Sequence, residues 1–248
     1  GQPGTHRVLL TLSYDGTAYG GWQRQRNAMT VQQKVEEALW GATGGQITIT
    51  GASRTDAGVH ALGQRAHFDT ASRIPPAKYP FALNTLLPAD IRVTAGQAVD
   101  RAFHARFDAK SKTYTYRILN APHASAQYRN LCAHVPLPLD AKAMRDCLTT
   151  LPGSHDFAAF QAAGGTAKTT VRTLGEASLQ QDGSLITLRI SGNGFLYNMA
   201  RIIAGTLIDV GHGKFTGNPF EEAFNTGNRQ SLGTTAPACG LELTEIRY

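Results

Sequence analysis

The stretch Gly51 to Ala61, GASRTDAGVHA, sets one arginine, one aspartate and one histidine within seven positions. Asp56 stands two residues after Arg54 and two before Gly58. Asp and Gly are common turn residues, so a solvated turn is one reading. The other is a reactive site, because a nearby arginine can hold a carboxylate ionised, the state a nucleophile requires. A second group, Ala102 to Arg117 (AFHARFDAKSKTYTYR), interleaves His104, Arg106, Phe107, Lys110, Lys112, Tyr114, Tyr116 and Arg117. Cations mixed with rings suit phosphate contacts combined with base stacking; an aromatic strand with a basic outer face would look the same. Gly192 to Arg201 (GNGFLYNMAR) sets Arg201 near the start of an apolar helix, either at the surface or turned into a cleft. Trp22 lies in YGGWQRQ beside Arg24; core packing is slightly preferred to RNA contact.

Other chemistries fail on spacing. Gly213-Lys214 has Ile208 and Phe215 where a phosphate loop needs Gly and Ser or Thr. Gly192-Asn193-Gly194 lacks the third glycine of a dinucleotide fingerprint. The eight histidines and three cysteines form no metal-ligand pattern, so no metal is expected. Cys132, Cys147 and Cys239 are sparse and odd in number, which argues against a disulfide framework and for a reducing, cytoplasmic setting. No apolar run reaches membrane-spanning length and no signal peptide is evident. A net charge of +6 and a pI near 9.4 suit a polyanion partner or plain solubility.

The elements that must position these residues alternate along the chain. The leading GQPGTH reads as a disordered tail. His6–Tyr14 reads as a strand, and Thr30 with Gln33 as a capping box opening a helix whose face is Val31, Val35, Ala38 and Leu39, closed by Gly44-Gly45. Strands are expected over 46–52, 63–69 and 91–99, with a helix over 77–87. After residue 101 the pattern begins again. It gives a strand at 111–119, a helix at 141–151, a hairpin of 171–179 and 184–191 turning at Asp182-Gly183, helices at 195–210 and 219–226, and a last strand at 240–248. The fold class is α+β: two similar α/β subdomains, residues 1–105 and 106–248, with mostly antiparallel sheets, helices on one face and a central cleft as the natural place for a site.

The motifs together resemble the tRNA pseudouridine synthase A family. They are YDGTAYGGWQRQ at Tyr14 to Gln25, GASRTDAGVHALGQ at Gly51 to Gln64, FHARFDAKSKTYTYRI at Phe103 to Ile118, GNGFLYNMARIIAGTLIDVG at Gly192 to Gly211, and TAPACGLELTEIRY from Thr235. They cover almost the whole chain in order, and the RTDAGVHA core is highly specific; Ser53 stands where many members have Gly. The resemblance implies the pseudouridine synthase fold and conversion of uridine to pseudouridine in the anticodon arm of tRNA, at positions 38, 39 and 40. It implies Asp56 as nucleophile, Tyr114 packing on the target base, Arg201 pairing with the aspartate, Arg54 moving the base out of the helix, and Leu243 lining the base pocket. It further implies a cofactor-free homodimer. Arg24, Arg106, Lys110 and Lys112 are the candidates for RNA backbone contacts. The chemistry is an isomerisation, so it needs no redox cofactor. Whether the carboxylate acts at C1′, on the 2′ proton or at C6 stays open. A base inside a stacked stem must be flipped to react.

Overall fold

The computed structural model describes residues 4–248; Gly1–Pro3 of the expected tail lie outside them, and His6 already belongs to the first strand. β1 (His6–Tyr14) buries Val8, Leu9, Leu10, Leu12 and Tyr14. Neighbours in a strand point to opposite faces, so burial of Leu9 and Leu10 means that both faces of β1 are covered. α1 (Val31–Thr43) begins as its sequence demands. Thr30 accepts the Gln33 N–H at 3.3 Å, the apolar face of Val31, Val35, Ala38 and Leu39 is buried, and Gly44 closes the helix in the left-handed region at φ 71°. The reciprocal half of the capping box is missing, because the Gln33 side chain turns to Glu37.

The expected strand over 46–52 shrinks to β2, Thr50–Gly51. Side chains of α1 take over the backbone that a ladder would have satisfied: Ile49 N–H donates to Glu36 Oε2 at 3.0 Å, and Gln32 Nε2 donates to the Ile49 carbonyl at 3.2 Å. β3 (His60–Thr70) is longer than expected and pairs antiparallel with β1. α2 (Tyr79–Asn84) is shorter than the expected 77–87 and follows a 3-10 turn at Pro76–Lys78. Asn84 ends it by exchanging two hydrogen bonds with the Val93 backbone. β4 (Ile91–Val99) pairs antiparallel with β1.

The chain forms two compact units, and the division falls after Lys110. In the second unit, β5 (Ser111–Asn120) pairs antiparallel with β9 (Leu185–Gly192), which pairs with β8 (Val171–Asp182). Two short strands escaped the sequence reading: β6 (Ala133–Val135), parallel to β5, and β7 (Gly153–Asp156), antiparallel to β8. α3 (Ala141–Leu148) and α5 (Pro219–Thr226) flank α4 (Met199–Gly211) in sequence. α4 starts four residues later than expected, because Asn198 sits in the left-handed region at φ 59° and cannot belong to a right-handed helix. The last strand, β10 (Leu241–Arg247), runs parallel to β3, with Leu243 opposite Ala61. Residues 242–248 therefore belong with the first unit, where a division at 105/106 had put them in the second. Gly63 admits this pairing: a Cβ there would lie 2.5 Å from the Thr244 carbonyl oxygen. The result is an α+β fold of mostly antiparallel strands.

One buried histidine makes the first unit acid-sensitive. His67 is 6% exposed and its Nδ1 accepts the Ala105 N–H at 3.0 Å. Burial, with the nearby Arg7 and His104, pushes its pKa down from 6.5 to about 4. The unfolded chain then binds a proton that the folded chain refuses. The stability involved is complete above pH 6.5 and drains away as pH falls toward 4. Urea unfolding at pH 4.5 against pH 7 is expected to reveal a loss of about 2 kcal/mol from this group. His67→Asn, which keeps an acceptor without a titration, should reduce that loss. A His67 ring that titrates near 6.5 by NMR would contradict the assignment.

Candidate active site

The loop from Ser53 to Val59 is held from three sides, all within the first unit. From β3, the fully buried Gln64 donates to the Ser53 carbonyl at 2.7 Å and accepts the Ser53 N–H at 3.3 Å. From the end of β1, the Tyr14 hydroxyl meets Thr55 Oγ1 at 2.7 Å in a buried hydrogen bond. From the glycine-rich turn, Trp22 N–H donates to the Thr55 carbonyl at 3.0 Å, and Gly58 N–H donates to Tyr19 at 3.4 Å. The loop closes on itself where Val59 N–H reaches the Asp56 carbonyl at 3.0 Å. These contacts require bare backbone: a Cβ on Gly16 would lie 2.0 Å from the Val59 oxygen, and one on Gly21 would lie 2.5 Å from the Thr55 oxygen. Gly21 also has φ +86°, a conformation that only glycine adopts readily. Asp56 is thereby presented half-buried on a fixed backbone, while Arg54 two residues earlier is exposed. Ser53 is buried with both backbone groups paired to Gln64, so the departure from Gly leaves the turn well satisfied. Leu243, on β10, is completely buried.

In the second unit Tyr114 lies on β5 opposite Ile190, 7% exposed, with its ring edge-on to Phe195 at 4.8 Å. Tyr116 is sunk deeper: its hydroxyl donates to the Pro237 carbonyl at 2.7 Å, and burial holds its phenol far above the ordinary value. Thr113 and Thr115, on the other strand face, are buried as well. Arg201, in the first turn of α4, is half-buried and exchanges hydrogen bonds with Ala236. Its Nε donates to the Ala236 carbonyl at 2.8 Å, and Ala236 N–H donates to the Arg201 carbonyl at 3.0 Å. Gly205 makes room for that strap, since a Cβ there would lie 1.7 Å from the Thr234 oxygen.

The basic-aromatic segment divides. Residues 102–108 form a clamped turn of the first unit. Arg7, paired with Asp69 at 2.8 Å, donates to the Phe103 carbonyl, and the C-terminal Tyr248 donates from its hydroxyl to the Ala105 carbonyl at 2.6 Å. Burial pushes the Tyr248 phenol up to about 12, which keeps it a donor. Arg106 and Lys110 are exposed, and Lys112 is half-exposed on β5. The Arg24 Nε donates to Glu36 at 2.9 Å, and the side chain stays about half exposed. Trp22 packs, as preferred, at 2% exposure and stacked against Tyr14. Between this turn and the Asp56 loop lies a depression of about 230 Å³, bounded by Trp22, Gly51, Arg54, His104, Arg106 and Phe107 among others. Sequence reasoning missed Gln64, Tyr14 and Asn198. None of the three carried a local signal: Gln64 is a polar residue in a strand, Tyr14 ends one, and Asn198 falls inside the helix expected over 195–210.

All three cysteines are free thiols, and among the described residues no three His, Cys, Asp or Glu side chains are grouped to hold a metal ion. No helix of the described residues is long and apolar enough to cross a membrane.

A family model described as tRNA pseudouridine synthase matches residues 11–108 and 148–248. Among curated relatives, a protein of Acetivibrio thermocellus named tRNA pseudouridine synthase A is 47% identical over 97% of this chain and 99% of its own. One of Ruminiclostridium cellulolyticum with the same name is 48% identical over 98% and 99%. A third, from Bacillus licheniformis, is 44% identical over 98% and 99%.

The anchoring of the loop has a measurable consequence. Gln64→Leu removes both buried bonds to Ser53, together with the Gln64 contacts to the Tyr14 hydroxyl and the Arg65 N–H. Urea unfolding should register a loss of about 2–3 kcal/mol. A loss under about 0.5 kcal/mol would mean that Gln64 does not hold the loop.

Proposed function

Because the chain belongs to the tRNA pseudouridine synthase family, we propose that its isomerisation of tRNA uridine to pseudouridine falls in the anticodon stem-loop, at positions 38, 39 and 40, with Asp56 as nucleophile. The reaction breaks the N1–C1′ bond of uridine, turns the uracil and joins C5 to C1′. A proton leaves C5 and one is gained at N1, so the product is an isomer of the substrate and no electrons are exchanged. The single observation that carries the assignment to Asp56 is the fixed backbone of its loop, held through Gln64, Tyr14 and Trp22. Nucleophilic attack rewards a group already at its reacting position.

The target base is flipped out of its stem to react. Tyr114 stacks on it, Arg54 fills the space that it leaves, and Arg201 and Leu243 make the remaining substrate contacts. Arg24, Arg106, Lys110 and Lys112 meet the RNA backbone, Arg24 through the guanidinium N–H groups that its Nε bond to Glu36 leaves over. The enzyme acts as a homodimer in the cytoplasm.

Asp56→Asn is expected to cut single-turnover conversion, read by tritium release from C5-labelled uridine, by about 10⁴ or more. Filter binding of tRNA should stay within about one decade, since affinity comes largely from phosphate contacts. A variant that keeps a tenth of the wild-type rate would overturn the nucleophile assignment, and mapping of the modified positions tests the site in tRNA.

The dimer is tested by light scattering. A mass near twice 26.6 kDa is expected, and a micromolar solution at 26.6 kDa itself would refute it.

A further inference from the structure

The depression beside the Asp56 loop is built more rigidly than a surface dent. Its floor is the buried Trp22 indole, packed so closely on Gly51 that a Cβ there would lie 2.4 Å from the indole nitrogen. On its rim Phe107 is 76% exposed, yet its ring rests on His104 with centroids 4.1 Å apart and planes 25° from parallel. His104 is itself fixed, because its Nδ1 accepts the N–H groups of Arg106 and Phe107 at 3.1 and 3.2 Å. A ring already held in place loses little freedom when a flat partner stacks on it. The Arg106 guanidinium stands 5.9 Å from the Phe107 centroid, and among the described residues neither Arg54 nor Arg106 is paired with a carboxylate. Glu36, hydrogen-bonded to the lining residue Gln32, is already matched by Arg24. The Gln32 amide is largely engaged: its nitrogen donates to Glu36 and Ile49 and its oxygen accepts the Arg24 N–H. The wall therefore offers an aromatic face and positive charge, the two elements of single-nucleotide recognition by stacking, with the exposed Gln23 and half-buried Thr50 completing the lining. At about 230 Å³ the depression is smaller than a usual small-molecule site.

We infer that this depression is a subsite for the nucleotide flanking the target uridine, with Phe107 stacking on its base and Arg106 taking a backbone phosphate. The inference rests on the assignment of Asp56 to the target. Arg54 bounds the depression and lies two residues from Asp56, at most about 7 Å along the chain. A nucleotide on the far side of Arg54 is therefore one step along the strand from the one that reacts.

The test uses the full chain with anticodon stem-loop RNAs, intact or carrying an abasic position directly 5′ or 3′ of the target uridine. Filter binding and single-turnover conversion are measured in parallel. Phe107→Leu, at an exposed position that leaves the core intact, should weaken intact RNA about tenfold. An abasic position at one of the two flanks should weaken wild-type binding by about the same factor, and the two losses should not add, because both delete one stack. Arg106→Gln should weaken every RNA and lower the salt slope by about one. Losses that add at both flanks, or a Phe107→Leu protein that binds as wild type does, would overturn the subsite. If wild type binds intact RNA without converting it, the reading of Asp56 fails, while the binding cycle still decides the subsite.

Discussion

The structure depends first on the hydrogen bonds that fix the backbone from Ser53 to Val59. A carboxylate on a turn is free to wander by several ångströms, and an error of about one ångström at a reacting group is costly in rate. Here the turn is bonded to the side chain of a buried glutamine on β3, to a tyrosine at the end of β1 and to the main chain of the Tyr19–Trp22 segment. Three separate stretches of sequence thus converge on seven residues. That convergence also accounts for the glycines: Gly16 and Gly21 are places where the converging backbones approach too closely for any side chain. Each polar anchor is buried, so it stabilises only while both partners are present, and the loss of one leaves an unsatisfied group in the interior.

The second unit solves a related problem by different means. Arg201 has to be held at the start of a helix, where a long side chain would otherwise sample many rotamers. The main chain of Ala236 binds it in both directions, and Gly205, one turn further along α4, lets the strap of Thr234 to Ala236 lie flat on the helix. The left-handed Asn198 permits the abrupt turn from the Phe195-Leu196 segment into α4. Phe195 is thereby left outside the helix, where its ring meets Tyr114. A continuous helix from 195, as the apolar spacing suggests, would have carried that ring elsewhere.

Local signals were legible in the sequence and long-range ones were not. The Thr30 cap, the left-handed Gly44, the hairpin at Asp182-Gly183 and the ends of β1, β4 and α5 follow from residue chemistry within a few positions. The Asp56 loop was visible because its residue types are improbable for a passive turn. What was lost depends on partners far away in the chain. The 46–49 segment is not a strand because Glu36 and Gln32 serve its backbone. The final strand pairs with β3 rather than closing the second half, because Gly63 opens space for it. Arg24 reads as a free cation until Glu36, twelve residues on, is seen beside it. Gln64 reads as a polar surface residue until the backbone of Ser53 is found against it.

The same distinction governs the charge. A net +6 suggests a diffusely basic surface, but several cations are already matched: Arg7 by Asp69, Arg24 by Glu36, Lys142 by Asp146 and Lys214 by Asp209. Nor do His104, in the Phe103–Asp108 turn, and His67, on β3 beneath it, add charge. Burial holds both His67 and His104 below the ordinary histidine value, and each uses a ring nitrogen to accept backbone N–H groups. Both serve as acceptors, a role open only to a neutral ring nitrogen, and His104 is also the platform for Phe107. The cations bounding the depression beside the Asp56 loop are the guanidinium groups of Arg54 and Arg106. Any attraction of these cations for a polyanion is screened by salt. Acid acts on this turn through the fold: once His67 must bind a proton, the turn that carries Arg106 and Phe107 loses one of the two bonds that anchor Ala105, and only the Tyr248 hydroxyl still holds it.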